Sequence, residues 1–316
     1  LENGRLDLAQ VEALGDLIEA ETEAQHRQAI AGIRGSLADR GDSWRRDLLR
    51  AAALLEAVID FADEDVPEDV SEEVAGLLSR VSGGISKELK GFSVAERIRT
   101  GFEVAIVGPP NAGKSTLLNA LAGRDAALTS EIAGTTRDVI EVRMDLKGVP
   151  VTLLDTAGLR RSDDVLEQLG IDRGVRRAEA ADVRVFVGPG VHDLGVSSVP
   201  GDVFVTGKGD LHPDADFPVS GATGLGLERL LNAVNETLAE RIQSAGLVSH
   251  HRQRDSLMKG LYALEAAEGL LHGESDVYEL AAEEIRSALR SLEVLLGRVD
   301  VEMVLGEIFS RFCLGK

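Results

Sequence analysis

The spacing of apolar positions changes twice along this chain. Over residues 1–60, Leu6, Leu8, Val11, Leu14, Leu17 and Ile18, then Leu37, Trp44, Leu48, Leu55, Val58 and Ile59, recur at three- and four-residue steps. That is the period of helices with one buried face, and Asp7 is placed to cap the first of them. The single Trp44 reads as core packing rather than a ligand platform. Residues 71–90 predict a further helix, interrupted at Gly83-Gly84 because paired glycines weaken a helix interior. Arg97, Arg99 and Gly101 then lead into a different pattern, and a domain boundary is expected near residue 96.

From residue 96 to 245, short β-type runs (Val104–Val107, Val139–Leu146, Val149–Leu154, Val183–Val187 and Val203–Val205) alternate with helical stretches. Strands alternating with helices predict an α/β unit built on a mostly parallel sheet. After Gly246 the helical period returns and continues to Lys316. The expected organisation is therefore an α/β domain, residues 96–245, inserted into an all-α helical domain made of residues 1–95 and 246–316. Insertion is easiest where the inserted domain's ends lie close together.

Composition refines this picture. With 316 residues, 44% of them hydrophobic and only 3% aromatic, the chain can bury large cores packed mainly by aliphatic side chains. A single cysteine excludes an internal disulfide and fits a reducing, cytoplasmic setting. No uninterrupted apolar run approaches the roughly 20 residues needed to cross a bilayer, so no membrane role is expected. The net charge of −20 argues against a whole-surface grip on nucleic acid, which needs clustered Lys and Arg. The densest acidic run, Asp60–Asp69, reads as a solvated loop that Pro67 helps to separate from the preceding helix.

The chemistry is concentrated at Gly108–Thr116, Gly-Pro-Pro-Asn-Ala-Gly-Lys-Ser-Thr. It fits G-x-x-x-x-G-K-[ST] and lies between a buried-type strand and a helical run, the context that a phosphate-binding loop requires. Glycines let backbone N–H groups converge on a phosphate chain, and the following helix N-terminus adds partial positive charge. Lys114 is expected to neutralise the β- and γ-phosphates and Ser115 to hold Mg2+. Asn111, Ala112, Gly113 and Thr116 complete the loop.

Asp155-Thr-Ala-Gly158 follows the strand Val149–Leu154, the place for a magnesium-sphere carboxylate and a glycine that senses the γ-phosphate. Between these motifs, Ala133–Asp138 offers a threonine able to close over magnesium and the γ-phosphate. Phe204–Asp210 occupies the base-reading position, where GTPases usually carry Asn-Lys-x-Asp. Lys208 and Asp210 are present, but Gly207 replaces the expected Asn. Asp210 can accept hydrogen bonds from the guanine N–H and amino groups, and Ser220, Gly221 and Ala222 can offer backbone N–H to the guanine oxygen. Guanine is favoured over adenine, with reduced affinity expected. Leu159 stands where many GTPases carry a water-orienting glutamine. Another group must then position the nucleophile, and Asp163, Asp164 and Glu167 are the candidate carboxylates. Asn111 is either a turn former or a ligand for a monovalent cation beside the phosphates.

Taken together, these residues resemble the MnmE (TrmE) family of tRNA modification GTPases over nearly the whole chain. The likeness is carried by Leu1–Leu14, Ile59-Asp-Phe61, Gly134–Asp138, Asp155–Arg160 and the ending Glu307–Lys316, which contains Phe312-Cys-Leu-Gly-Lys316. The resemblance implies a potassium-activated GTPase whose G domains pair as a homodimer when GTP and K+ bind. It implies Asn111, Ser130, Ile132 and Thr135 around potassium, Thr136 on magnesium and the γ-phosphate, and Glu167 orienting the attacking water. Glu167, Lys114 and Thr136 are thereby the catalytic set, and Cys313 is linked to the modification chemistry. It further implies an FAD-containing partner, MnmG (GidA), and an aminomethyl-type group installed at carbon 5 of wobble uridine in tRNA. A tetrahydrofolate derivative is expected only with the family's N-terminal domain, which lies outside this sequence; truncation of a longer protein is the expectation. The competing expectations are a GTP-gated scaffold with little turnover, favoured by Gly207 and Leu159, and a ribosome-assembly GTPase.

Overall fold

The computed structural model describes residues 6–60, 70–123, 141–155, 174–188, 195–271 and 277–298. Residues 61–69 of the acidic run lie outside this set. The chain forms two compact units. One comprises Leu1–Glu19, Arg27–Glu96 and Ala245–Lys316, and the other Ala20–His26 and Arg97–Ser244.

The first unit is built from helices α1 (Leu8–Glu19), α2 (Glu23–Ile33) from Arg27 onward, α3 (Ser36–Asp60) and α4 (Ser71–Thr100) as far as Glu96, with two further helices from the end of the chain. Asp7 caps α1 as its sequence predicts. Its Oδ1 accepts from the Gln10 N–H at 2.7 Å, while Gln10 Oε1 accepts from the Asp7 N–H at 3.0 Å, a reciprocal pair that satisfies two N-terminal donors. The core gathers Trp44, Leu48, Leu55, Leu78, Val81 and Ile85 with Leu257, Leu264, Ile285 and Leu292. Trp44 is buried, in keeping with its reading as a packing residue.

The interruption expected at Gly83-Gly84 does not occur: α4 runs unbroken for 30 residues. The two glycines do different things. Gly83 faces open space, whereas a Cβ on Gly84 would lie 2.6 Å from Trp44 Nε1. Gly84 is thus a packing notch for the indole, and the tryptophan's burial outweighs the helix penalty of about 1 kcal/mol per glycine. The helix ends at Gly101, whose φ of +101° admits no ordinary side chain comfortably.

In the second unit, β1 (Phe102–Val107), β2 (Glu141–Leu146), β3 (Val149–Asp155), β4 (Val183–Val187) and β5 (Val203–Val205) form one sheet in the order β2-β3-β1-β4-β5. β1 pairs in parallel with β3 and β4, and β4 with β5; only β2 runs antiparallel, against β3. Every residue of β3 and β4 is buried, as expected for central strands covered on both faces. The β2–β3 hairpin turns on Lys147 and Gly148, with φ of 53° and 87°. Positive φ at both positions is the turn whose twist matches that of a two-residue hairpin. Helices α5 (Lys114–Ala122) and α6 (Leu227–Ile242) belong to this unit.

Ala20–His26 also belong to it, a feature that the helical period does not reveal. The Ala24 N–H donates to the Gly148 carbonyl at 2.8 Å, and Gln25 Nε2 donates to the Arg99 carbonyl at 2.9 Å. The chain's last described helices are α7 (His251–Leu270) and α8 (Tyr278–Leu296). They lie in the first unit, where Gly260 brings α7 to 3.6 Å, measured from a Cβ placed on it, from Ser291 Cβ of α8. Among the described residues, no helix is long and apolar enough to cross a membrane.

Candidate nucleotide site

The site starts where β1 stops. Val107 leads into Gly108, and a Cβ at Gly108 would lie 2.4 Å from the Val187 carbonyl, so the loop leaves the sheet hard against β4. The loop rises through Asn111, a non-glycine residue with φ of 62°, and turns into α5 at Gly113, with φ of 97°. These left-handed positions give the loop its tight fold, in which the Ala112 N–H donates to the Pro109 carbonyl at 3.3 Å. Asn111 is solvent-exposed at the loop's crest.

Lys114 begins α5 and is buried. Its ammonium donates to the carbonyls of Gly108 at 2.8 Å and Pro109 at 3.0 Å, so the charge is held beneath the loop it would serve. Next to it, Ser115 Oγ donates to Asp155 Oδ2 at 3.0 Å. Asp155 sits at the end of β3, in register with Ile106 of β1, which places the carboxylate beside the loop. It is only 3% exposed, and among the described residues its buried Oδ1 has no hydrogen-bond partner. A buried carboxylate oxygen without a donor is costly. A cation repays that cost, and the hydroxyl–carboxylate donor set suits magnesium, a hard ion that binds few protein oxygens and keeps water and phosphate ligands.

The base-reading segment follows β5. The Gly209 N–H donates to the Val219 carbonyl at 2.8 Å, and Val219 N–H to the Thr206 carbonyl at 2.9 Å, which ties residues 206–209 to 217–219. Lys208 takes φ of 52°, and its Cγ lies 3.8 Å from where a Cβ of Gly113 would be. Asp210 is exposed, available to a base edge. Ser220 is buried, its hydroxyl accepting from the Thr223 N–H at 3.3 Å, and a Cβ on Gly221 would come 2.4 Å from the Thr116 carbonyl. Gly113–Thr116, Asp155, Lys208 and Gly221 are thereby brought together by three neighbouring strands, β3, β1 and β4, and by β5 at the edge. Ser130, Ile132, Thr135, Thr136, Gly158, Leu159, Asp163, Asp164, Glu167 and Cys313 lie outside the described residues.

Sequence reasoning missed the pair that sets the start of β5. Asp202 accepts from the Arg184 N–H and Nε with one oxygen, both at 3.0 Å, and from Nε at 2.8 Å and the Val199 N–H at 2.7 Å with the other. Both side chains are buried, at 6% and 1% exposure. An arginine and an aspartate 18 residues apart carry no signature in sequence. The pair nevertheless holds the start of the strand that leads into Lys208 and Asp210.

The sequence pattern of the MnmE helical domain matches residues 8–313. The tRNA modification GTPase MnmE of Ruegeria pomeroyi is 56% identical over 316 residues, covering 100% of this chain and 74% of that protein. The chain belongs to the MnmE family. The protein of that name from Cereibacter sphaeroides is 57% identical over 318 residues, again across 100% of this chain and 74% of its own length. The chain is therefore a tRNA modification GTPase of the MnmE family, with a P-loop GTPase domain set into a helical domain. Among solved structures, Era of Aquifex aeolicus in complex with GDP and aluminium fluoride is similar at a TM-score of 0.32, with 25% identity over 43% of this chain and 56% of that one.

Proposed function

We propose that this MnmE-family chain hydrolyses GTP with potassium as activator, in the service of an aminomethyl-type modification at carbon 5 of wobble uridine in tRNA. The observation that carries the hydrolase reading is the Ser115–Asp155 pair, whose buried Oδ1 has no partner among the described residues, set beside the buried Lys114. Ser115, with Thr136 from outside the described residues, would hold Mg2+, while Asp155 orients the Ser115 hydroxyl. Among the described residues no group of three or more His, Cys, Asp or Glu gathers to hold a metal, so phosphate oxygens would complete the ion's shell. Magnesium bound there supplies positive charge to the β- and γ-phosphates.

Lys114 neutralises the same phosphates once its ammonium exchanges the two loop carbonyls for phosphate oxygens. Asn111 stands exposed at the crest of the loop and offers an amide oxygen to K+, with Ser130, Ile132 and Thr135 as the further ligands. Glu167 orients the attacking water in place of the glutamine that Leu159 displaces. Lys208 packs along Gly113 under the base, Asp210 reads guanine, and Ser220, Gly221 and Ala222 face its oxygen. The domain boundaries proposed are 1–95, 96–245 and 246–316. The partners proposed are tRNA, an FAD-containing MnmG subunit, and a second copy joined through the G domain. Cys313 serves the modification step, a tetrahydrofolate derivative is used only together with the family's N-terminal domain, and the setting is cytoplasmic.

Steady-state GTP hydrolysis in KCl and NaCl at equal ionic strength tests the reading. A rate that rises severalfold only in potassium, and is lost in Glu167→Ala with GTP binding retained, is the expected result. Equal slow rates in both salts, with GTP bound, would favour the nucleotide-gated scaffold.

A further inference from the structure

The residue at 207 is where this chain departs from the base-reading pattern, and its surroundings explain the departure. A Cβ on Gly207 would lie 2.1 Å from the Ala112 carbonyl oxygen and 2.7 Å from Val187 Cγ1. The first neighbour is backbone of the phosphate loop, and the second belongs to a strand residue only 1% exposed. Neither is the free end of a flexible side chain. The base-reading loop and the phosphate loop therefore touch backbone to backbone at this point, a distance available only to glycine. The contact lies within one compact unit and is reinforced on both sides. The Gly188 N–H donates to the Val205 carbonyl at 2.8 Å, and the Lys208 stem runs along Gly113.

We infer that Gly207 is a positioning residue that sets the spacing between the phosphate loop and the base-reading loop, and that an asparagine there would weaken nucleotide binding rather than restore it. The inference rests on the nucleotide-site reading above. A nucleoside diphosphate spans both loops at once, its phosphates on the N–H groups of residues 112–116 and its base against Lys208 and Asp210. The gap between the loops is consequently part of the site. A side chain at 207 wedges them apart, and one ligand of fixed length cannot then satisfy both ends. The steric work that Gly207 does is distinct from the hydrogen bonding that an asparagine would add, and the two pull in opposite directions.

The test is the GDP dissociation constant of the parent chain and of Gly207→Ala, Gly207→Asn and Gly207→Asn/Val187→Ala, with far-UV circular dichroism and a nucleotide-free melt of each. GDP binding by the parent is the separate measure of the site itself; a parent that binds no GDP overturns the site reading. Given binding, Gly207→Ala is expected to weaken GDP about tenfold or more, equivalent to about 1.4 kcal/mol, and to lower the nucleotide-free melting temperature. Gly207→Asn is expected to bind no tighter than Gly207→Ala. Trimming Val187 should not rescue it, because the Ala112 carbonyl remains in place. A folded Gly207→Asn chain that binds GDP as well as the parent, or better, overturns the inference. So does recovery of parental affinity in the double variant, which would move the obstacle from the phosphate loop to the Val187 side chain. The alanine variant adds a single methyl group and keeps the comparison readable if the asparagine variant fails to fold.

Discussion

At the scale of single residues, Asp155 sets stability against activity. Its carboxylate is buried and accepts a hydrogen bond from Ser115, while Oδ1 has no partner among the described residues. In the nucleotide-free chain that oxygen is a cost, of about 1–3 kcal/mol for an unsatisfied buried polar group. Asp155→Asn keeps an acceptor for Ser115 and removes the charge. It is expected to leave the nucleotide-free melt unchanged or raised, while GTP hydrolysis falls on the order of a hundredfold or more, the scale on which preorganised charge acts in catalysis. A nucleotide-free destabilisation beyond about 2 kcal/mol would instead mark the carboxylate as structural. The motif residues Lys114, Ser115 and Asp155 were legible as a set because phosphate chemistry constrains a few residue types at fixed spacings. The partner of Asp202 was not, because a buried ion pair between a strand and the residue preceding its neighbour obeys no spacing rule.

Among the elements, α4 shows where local rules mislead. Two adjacent glycines predict a break, yet the helix continues because one of them admits the Trp44 indole. The two positions should respond oppositely to the same substitution. Gly83→Ala meets nothing and gains helix propensity, so the unfolding free energy should rise by about 0.5–1 kcal/mol. Gly84→Ala gains the same propensity but drives a methyl group into a rigid, buried ring. Overpacking of about 1–3 kcal/mol outweighs that gain, and net destabilisation is expected. Urea unfolding monitored by the fluorescence of the single tryptophan reads both, and equal shifts would refute the notch. The strands, by contrast, were legible almost residue for residue. Continuous apolar runs bounded by turns leave few alternatives in a sheet covered on both faces. β2 is the exception in direction, because a two-residue turn at Lys147-Gly148 can only return the chain antiparallel.

For the whole molecule, charge pairs distant in sequence contribute to the pH response. Glu12 and Arg252, 240 residues apart, form a bidentate pair with N–O distances of 2.7 and 2.8 Å, and Arg252 also donates to the Val294 and Leu295 carbonyls at the end of α8. Burial raises the Glu12 carboxyl, but the hydrogen bonds from Arg252 and Gln253 prevail and hold it below its ordinary value. The folded value lies under the unfolded one. The stabilisation is therefore present above the ordinary carboxylate range and is lost as pH falls through the depressed value. Glu12→Gln should lower the melting temperature near neutrality, and the gap to the parent should shrink in acid; a gap that stays constant from pH 7 to about pH 3 would exclude the ionised pair as its source. Asp182 has the opposite sign. Burial lifts its carboxyl despite the Glu103 N–H and Arg97, so its contribution declines as pH rises through the raised value.

The sequence alone determined the α/β and helical zones, the glycine-rich loop motif, the aspartate that closes β3 and the family, because periodicity and motif spacing are local and survive without knowledge of the fold. Tertiary structure alone decided that Gly84 receives Trp44, that Ala20–His26 join the sheet-bearing unit, and that Gly207 meets Ala112. Each of these is a contact between segments far apart in the chain, set by close packing between backbones and side chains, and no one-dimensional pattern records which atoms will meet.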